Sequence, residues 1–236
     1  MMNSAVSIYP SILTNSVELA QKQVDLVSQH RSLIESLPLR VPAIQLDIVD
    51  DSYEGDITIP ISLVSEIAFG DIPCDVHLMT KDPLRDLLLV EKIREKHASA
   101  ISRVIVQVEH ISTFSTLFQV ARELNLKIGL SFDVLTPISS VDPTVLAQAD
   151  CVQMMGIHAG AQGRSFQREV ISKFQETAIF RERIVDGGIK PDTMLFCLQR
   201  GITSFTVGSF FWTQPFDQAI RALASSIAQH EHQLSS

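Results

Sequence analysis

The sequence predicts a single (β/α)8 TIM barrel spanning residues 1–236. Three observations predict it. Short apolar, β-branched runs alternate with longer amphipathic runs along the whole chain. Eight strand-like runs can be read. Acidic and imidazole residues close or end several of them: Asp47 after Ala43-Ile44-Gln45-Leu46, His77 within Asp75-Val76-His77-Leu78-Met79, and Asp186 after Arg183-Ile184-Val185. In a parallel barrel those strand ends meet at one mouth. A doubly wound open sheet is the alternative, and no Gly-x-Gly-x-x-Gly follows the first strand to support it.

In chain order the strands are Ser7–Ile8, Ala43–Asp47, Cys74–Leu78, Val104–Val108, Lys127–Phe132, Cys151–Met155, Arg183–Asp186 and Ser204–Val207. Helical periods lie between them, as in Glu18-Leu19, Val24, Leu26-Val27 and Leu33-Ile34, then Leu84, Leu87–Leu89 and Ile93, then Leu117, Val120-Ala121 and Leu124. Asp82-Pro83 and Asp142-Pro143 each place a capping carboxylate before a proline at the first helical position. Asn15 with Glu18 fits a capping box. The tail Gln229-His230-Glu231-His232-Gln233 reads as a frayed, solvated helix end.

A chain of 236 residues, 45% hydrophobic, can bury a sizeable core. Its net charge is −8 and no Lys/Arg block stands out, which argues against a nucleic-acid surface. An anionic substrate would need local amides and helix N-termini instead. Cys74, Cys151 and Cys197 are widely spaced and read as reduced, buried thiols of a cytoplasmic protein. The start Met1–Val6 lacks the pattern of a signal peptide. The long uncharged stretch from Gly201 to Phe216 contains Gly, Gln and Pro and is not a membrane span.

Two carboxylates and a His at one mouth can hold a metal and move protons. Each residue also has a plainer reading. Asp47 and Asp186 could cap the turns that follow them, and a His between Val76 and Leu78 is ordinarily a satisfied core residue. Asp50 and Asp51 read as loop acids. Three glycine-containing turns look like anion cradles: Gly156 through Ser165, Gly187-Gly188, and Gly208-Ser209. In many barrels the loops after the last strands bind phosphate. Arg164 either pairs with that phosphate or points to solvent. Met79, Met154 and Met155 read as core filler.

These residues carry a resemblance. Pro10-Ser11-Ile12-Leu13, Leu46-Asp47-Ile48-Val49-Asp50, Asp75-Val76-His77-Leu78-Met79, Thr136-Pro137, Met155 through Phe166, Val185-Asp186-Gly187-Gly188 and Val207-Gly208-Ser209 are similar to segments of the ribulose-phosphate 3-epimerase family. The resemblance spans nearly the whole chain. It implies a barrel enzyme acting on a pentulose 5-phosphate, with Asp47 and Asp186 moving protons on opposite faces of the sugar. It implies a divalent metal (Mn, Mg, Zn or Fe) held by Gln45, Asp47, His77 and Asp186. It implies substrate contacts from Ser11, His77, Met79 and Met155, and a phosphate held by Gly160, Gly163, Gly187, Gly188, Gly208 and Ser209. The expected partners are a small sugar phosphate and further copies of the chain, with neither nucleic acid nor membrane.

The chain departs from the family pattern at several places. Gln45-Leu46-Asp47 stands where His-x-Asp is usual, Gln107-Val108-Glu109 where His-x-Glu is expected, and His158 through Arg164 where Asn-Pro-Gly-Phe-Gly-Gly-Gln is usual. Val49 replaces a Met, and Asp51 a Gly. Gln45 as an oxygen ligand leaves one nitrogen and three oxygens, a set that favours Mn²⁺ or Mg²⁺ over zinc. Without a metal the facing carboxylates would repel, and one would hold a proton. A phosphosugar binder without turnover is the second reading. A related decarboxylase-type lyase is the third, and it lacks its catalytic Lys, because Val49 follows Asp47-Ile48.

Overall fold

The computed structural model describes residues 6–96, 100–177, 180 and 182–235. The reading of a leader-free start falls on Met1–Ala5, outside the described residues. The strands are β1 (Val6–Ile12), β2 (Leu39–Arg40), β3 (Ile44–Val49), β4 (Cys74–Met79), β5 (Ile101–Gln107), β6 (Lys127–Phe132), β7 (Cys151–Met155), β8 (Arg183–Asp186) and β9 (Ser204–Val207). All pair in parallel, and β1 pairs with β9 to close the sheet. The expected eight-membered barrel is present.

The additional strand β2 shares a barrel position with β3. Val6 and Ser7 of β1 pair with Leu39 and Arg40, whereas Ser11 and Ile12 pair with Gln45 and Leu46. Pro42 lies in the gap, and a residue without an N–H cannot continue a ladder.

Helices cover the outer face of the sheet. The helix Val17–Gln29 buries Ala20, Val24 and Val27, and the helix Phe114–Glu123 buries Leu117, Phe118 and Ala121. Both sets follow the 3.6-residue period. The main apolar core fills the space between these helices and the strands. The caps at Asp82 and Asp142 are formed, with side chains that accept from Arg85 N at 3.1 Å and Thr144 N at 2.8 Å. At the first helix the cap is Ser16 rather than Asn15: its hydroxyl accepts from Leu19 N at 3.2 Å and donates to Glu18 at 2.7 Å. Residues 229–233 are helical, inside Phe216–Ser235, because the apolar face of that helix packs on the barrel as far as Ile227. All three cysteines are buried and unpaired.

Inside the barrel, side chains of alternate residues form layers. At the N-terminal end of the strands, Arg103 donates to Asp75 (Nε, 3.1 Å) and Glu182 (2.5 Å), and Tyr9 donates to Glu182. Above this lies a small apolar layer of Tyr9, Ala43, Cys151 and Ile184. Next come Gln45, His77, Gln107, Gln153 and Thr206, all buried. The mouth is apolar, lined by Val49, Met79, Met155 and Ala159.

Candidate active site

Strand register brings the acids together. Asp47 pairs with His77 across β3 and β4, and Asp186 pairs with Met155 and Thr206 on its two neighbours. His77 Nδ1 lies 3.2 Å from Asp47 Oδ1 and 3.5 Å from Asp186 Oδ2. Asp47, His77 and Asp186 each offer one ligand atom within 4.8 Å of the others, so they form a group that could hold a metal ion.

Amides fill the space between them. Gln45 Nε2 donates to Asp47 Oδ1 at 2.8 Å and to Asp186 Oδ2 at 2.7 Å. Its Oε1 accepts from the Thr206 hydroxyl at 3.0 Å. Gln153 Nε2 donates to the same Asp186 oxygen at 2.9 Å. The Gln107 side chain lies 3.3 Å from His77 Nε2. Turned so that its nitrogen donates to Ser131 O and Glu109 Oε2, Gln107 presents its oxygen to the imidazole. Ser11 Oγ donates to Asp47 Oδ2 at 2.5 Å.

Among the described residues no lysine or arginine forms an ion pair with either carboxylate. Burial first, and the Asp47 charge second, push the Asp186 carboxyl up to about 7. It therefore takes a proton far more readily than an ordinary carboxylate, which suits a group that gives and takes protons near neutral pH.

A cavity opens from this pair toward the last loops. Its lining includes Ser11, Asp47, Met79, Met155, Gly160, Gly163, Asp186, Gly187, Gly188, Gly208 and Ser209. Each substrate contact expected from the sequence therefore lies on one wall or another, apart from His77, which sits beneath the acids. Gly187 and Gly188 have φ of +95° and +69°, a region that side chains disfavour. Gln162 also lines this cavity and went unforeseen. Its side-chain nitrogen is buried without a hydrogen-bond partner and lies where a Cβ on Gly208 would be, at 2.5 Å. Arg164 has main-chain partners that the sequence did not indicate. Its guanidinium donates to His158 O (3.2 Å) and Glu54 O (2.9 Å), tying the loop after β7 to the loop after β3. Asp50 accepts from Ser52 N and Lys81 N, and Asp51 sits near Lys81 at the surface.

Over residues 7–212 the sequence matches the ribulose-phosphate 3 epimerase family. The chain belongs to that family. It is 28% identical over 216 residues to the ribulose-phosphate 3-epimerase of Escherichia coli K12, covering 84% of this chain and 90% of that one. It is 31% identical over 196 residues to that of Synechocystis sp. PCC 6803, covering 78% and 81%. Among solved structures it resembles a tryptophan synthase α-subunit mutant from Pyrococcus furiosus, with TM-score 0.69 at 14% identity over 95% of this chain and 100% of that one. A 3-hexulose-6-phosphate synthase gives TM-score 0.63 at 15% identity, over 94% and 99%. These structural likenesses speak for the barrel alone. The family places the chain among sugar-phosphate epimerases, which are isomerases. Among the described residues no helix is long and apolar enough to cross a membrane.

Gln45, Gln107 and Gln153 together surround His77. The sequence flagged the first two as departures and passed over Gln153. Strand parity was the available signal, since Gln153 lies two residues before Met155 and must share its inward face.

Proposed function

We propose that this protein interconverts ribulose 5-phosphate and xylulose 5-phosphate by moving a proton at C3. One observation carries the reading: two carboxylates, held 2.7–2.8 Å from the same amide nitrogen, stand at the floor of a cavity whose far wall is glycine backbone. Asp47 and Asp186 are assigned the proton transfers. One carboxylate takes the C3 proton; the C3–H electron pair moves into the C2–C3 bond and charge passes to the C2 oxygen. The other carboxylic acid then returns a proton to C3 from the opposite face, and the C2 carbonyl re-forms. Each turnover leaves the two acids with their protonation exchanged.

Met79 and Met155 give the reacting carbons an apolar wall, which keeps water from quenching the enediolate. Ser11 orients Asp47 through its short hydrogen bond. Backbone at Gly163, Gly187, Gly188, Gly208 and Ser209 is assigned to the phosphate, and the unpartnered Gln162 amide is an added donor there.

No step is assigned to a metal ion. The four-residue ligand set expected from the sequence does not fit one, because the side-chain oxygen of Gln45 faces Thr206 and its nitrogen faces both carboxylates, which leaves Asp47, His77 and Asp186 as the group able to offer ligand atoms. A phosphosugar binder without turnover is the second reading, favoured by the fact that the Gln45 nitrogen already satisfies both acids.

Incubating the protein with ribulose 5-phosphate in D₂O separates the two. The epimerase incorporates deuterium at C3 and yields xylulose 5-phosphate. Binding by calorimetry with no exchange at C3 would retain the binder and reject the enzyme.

A further inference from the structure

We infer that the Gln45 amide stands in for a metal ion, holding Asp47 and Asp186 as a facing pair so that the site needs no divalent cation. Three contacts carry this. The Gln45 nitrogen lies 2.8 Å from one carboxylate and 2.7 Å from the other. Amide hydrogens are spent on two different acids, which is the bridging task a cation would perform. The orientation is fixed from behind, because Oε1 accepts from Thr206 Oγ1 at 3.0 Å. The one atom of Gln45 able to ligate a metal is thus turned away from the acids.

A second amide reinforces the first. Gln153 Nε2 donates to Asp186 Oδ2 at 2.9 Å and lies 3.4 Å from His77 Nδ1. The Gln45 nitrogen lies 3.3 Å from that same imidazole nitrogen. His77 Nδ1 also lies 3.2 Å from Asp47 Oδ1, and its Nε2 faces the Gln107 oxygen once that amide is turned to satisfy Ser131 and Glu109. One acceptor in this layer, Gln153 Oε1, is buried and meets no donor. An ion placed among the three candidate ligands would have to displace N–H groups from both acids at once. A metal prefers anionic or lone-pair donors directed at it, and here the two facing oxygens, Asp47 Oδ1 and Asp186 Oδ2, each already accept from an amide N–H.

Gln45 is thus a positioning residue. Its consequence for catalysis rests on the epimerase reading, whereas its consequence for metal binding does not. The test therefore reads metal directly. Purified wild-type protein is titrated calorimetrically with Zn²⁺ and with Mn²⁺, and its melting temperature is followed with each metal and with a chelator. The expected result is no saturable binding and no shift in melting temperature. Gln45→His places an imidazole where the amide was, and zinc affinity rises by about a hundredfold or more.

On ribulose 5-phosphate, chelator leaves wild-type turnover unchanged, and Gln45→Ala lowers kcat with little change in KM, because the phosphate grip lies elsewhere. Stoichiometric zinc or manganese in the wild type, with a raised melting temperature, overturns the inference. So does a Gln45→Ala variant that keeps its kcat. A protein that binds neither metal and exchanges no C3 proton upholds the role of the amide and removes the epimerase reading.

Discussion

The two ends of the barrel hold similar acids in opposite company. At the N-terminal end, Asp75 and Glu182 meet the guanidinium of Arg103, which is itself buried. At the C-terminal end, Asp47 and Asp186 meet imidazole and amide nitrogens and the Ser11 hydroxyl. The chemistry follows the partner. Burial works to raise Glu182, yet the Arg103 charge and the hydrogen bonds from Tyr9 and Arg103 hold it below the ordinary carboxylate range. Burial prevails at Asp75, which is raised despite the same guanidinium. For Asp186 burial and the Asp47 charge act in the same direction. A guanidinium cancels charge, whereas an amide satisfies hydrogen bonds and leaves the charge in place. The lower cluster is held by a full charge, whereas the upper one leaves a buried carboxyl with a raised proton affinity.

Removing the charge partner should separate the ends most sharply. Asp186→Asn should lower kcat by about a thousandfold, within the range of a lost general acid or base. Phosphosugar binding should persist, and the melting temperature should hold or rise as one of two facing charges disappears. A variant that keeps near-normal turnover would make Asp186 a structural cap.

Arg103→Met should do the reverse. It leaves Asp75 without its guanidinium and Glu182 with only the Arg40 charge, and should cost about 3–5 kcal/mol of stability in denaturant unfolding. Turnover by the folded fraction should change little. A loss below about 1 kcal/mol, the level of an exposed ion pair, would show that the lower cluster contributes no more than a surface contact.

The pH dependence of stability should differ in sign. Glu182 is held low, so its contribution is present above its unfolded value of 4.5 and is lost as pH falls through the lower folded value. Asp186 is held high, so its protonated form contributes stability below 3.8 that is lost as pH rises to about 7. Melting curves of Asp186→Asn should lose that decline between those two values, and curves of Glu182→Gln should lose part of the acid-side fall. Identical slopes in variant and wild type would break the contrast.

The smallest effect belongs to Gln162→Ala. It removes one unpartnered amide from the cavity and should raise KM for a sugar phosphate by roughly three- to tenfold, about 1 kcal/mol, with the melting temperature unchanged. An unaltered KM would take Gln162 out of the phosphate site.

The barrel, the convergence of Asp47, His77 and Asp186, and the glycine turns were legible because strand ends and backbone needs leave local marks. Asp82-Pro83 capped its helix as read, whereas the first cap slipped by one residue to Ser16, since Asn15 and Ser16 are both capable caps. The short β2 was missed because two residues carry no period. The role of Gln45 was not legible. Its composition allows either an oxygen ligand or a nitrogen donor, and only Thr206, 161 positions away, decides which end faces the acids. Arg164 found main-chain oxygens that belong to another loop, a contact that sequence order hides.

That distance also bears on how the molecule comes into being. β1 opens the chain and its closing partner is β9, with Ser7–Pro10 seated on Ser204–Val207. During synthesis the free edge of β1 must wait until nearly all other strands have emerged, an interval in which an unpaired edge invites misassociation. Thr206 arrives on that last strand. The amide of Gln45 thus acquires its direction only when the barrel shuts, so the layer around Asp47 and Asp186 is completed late.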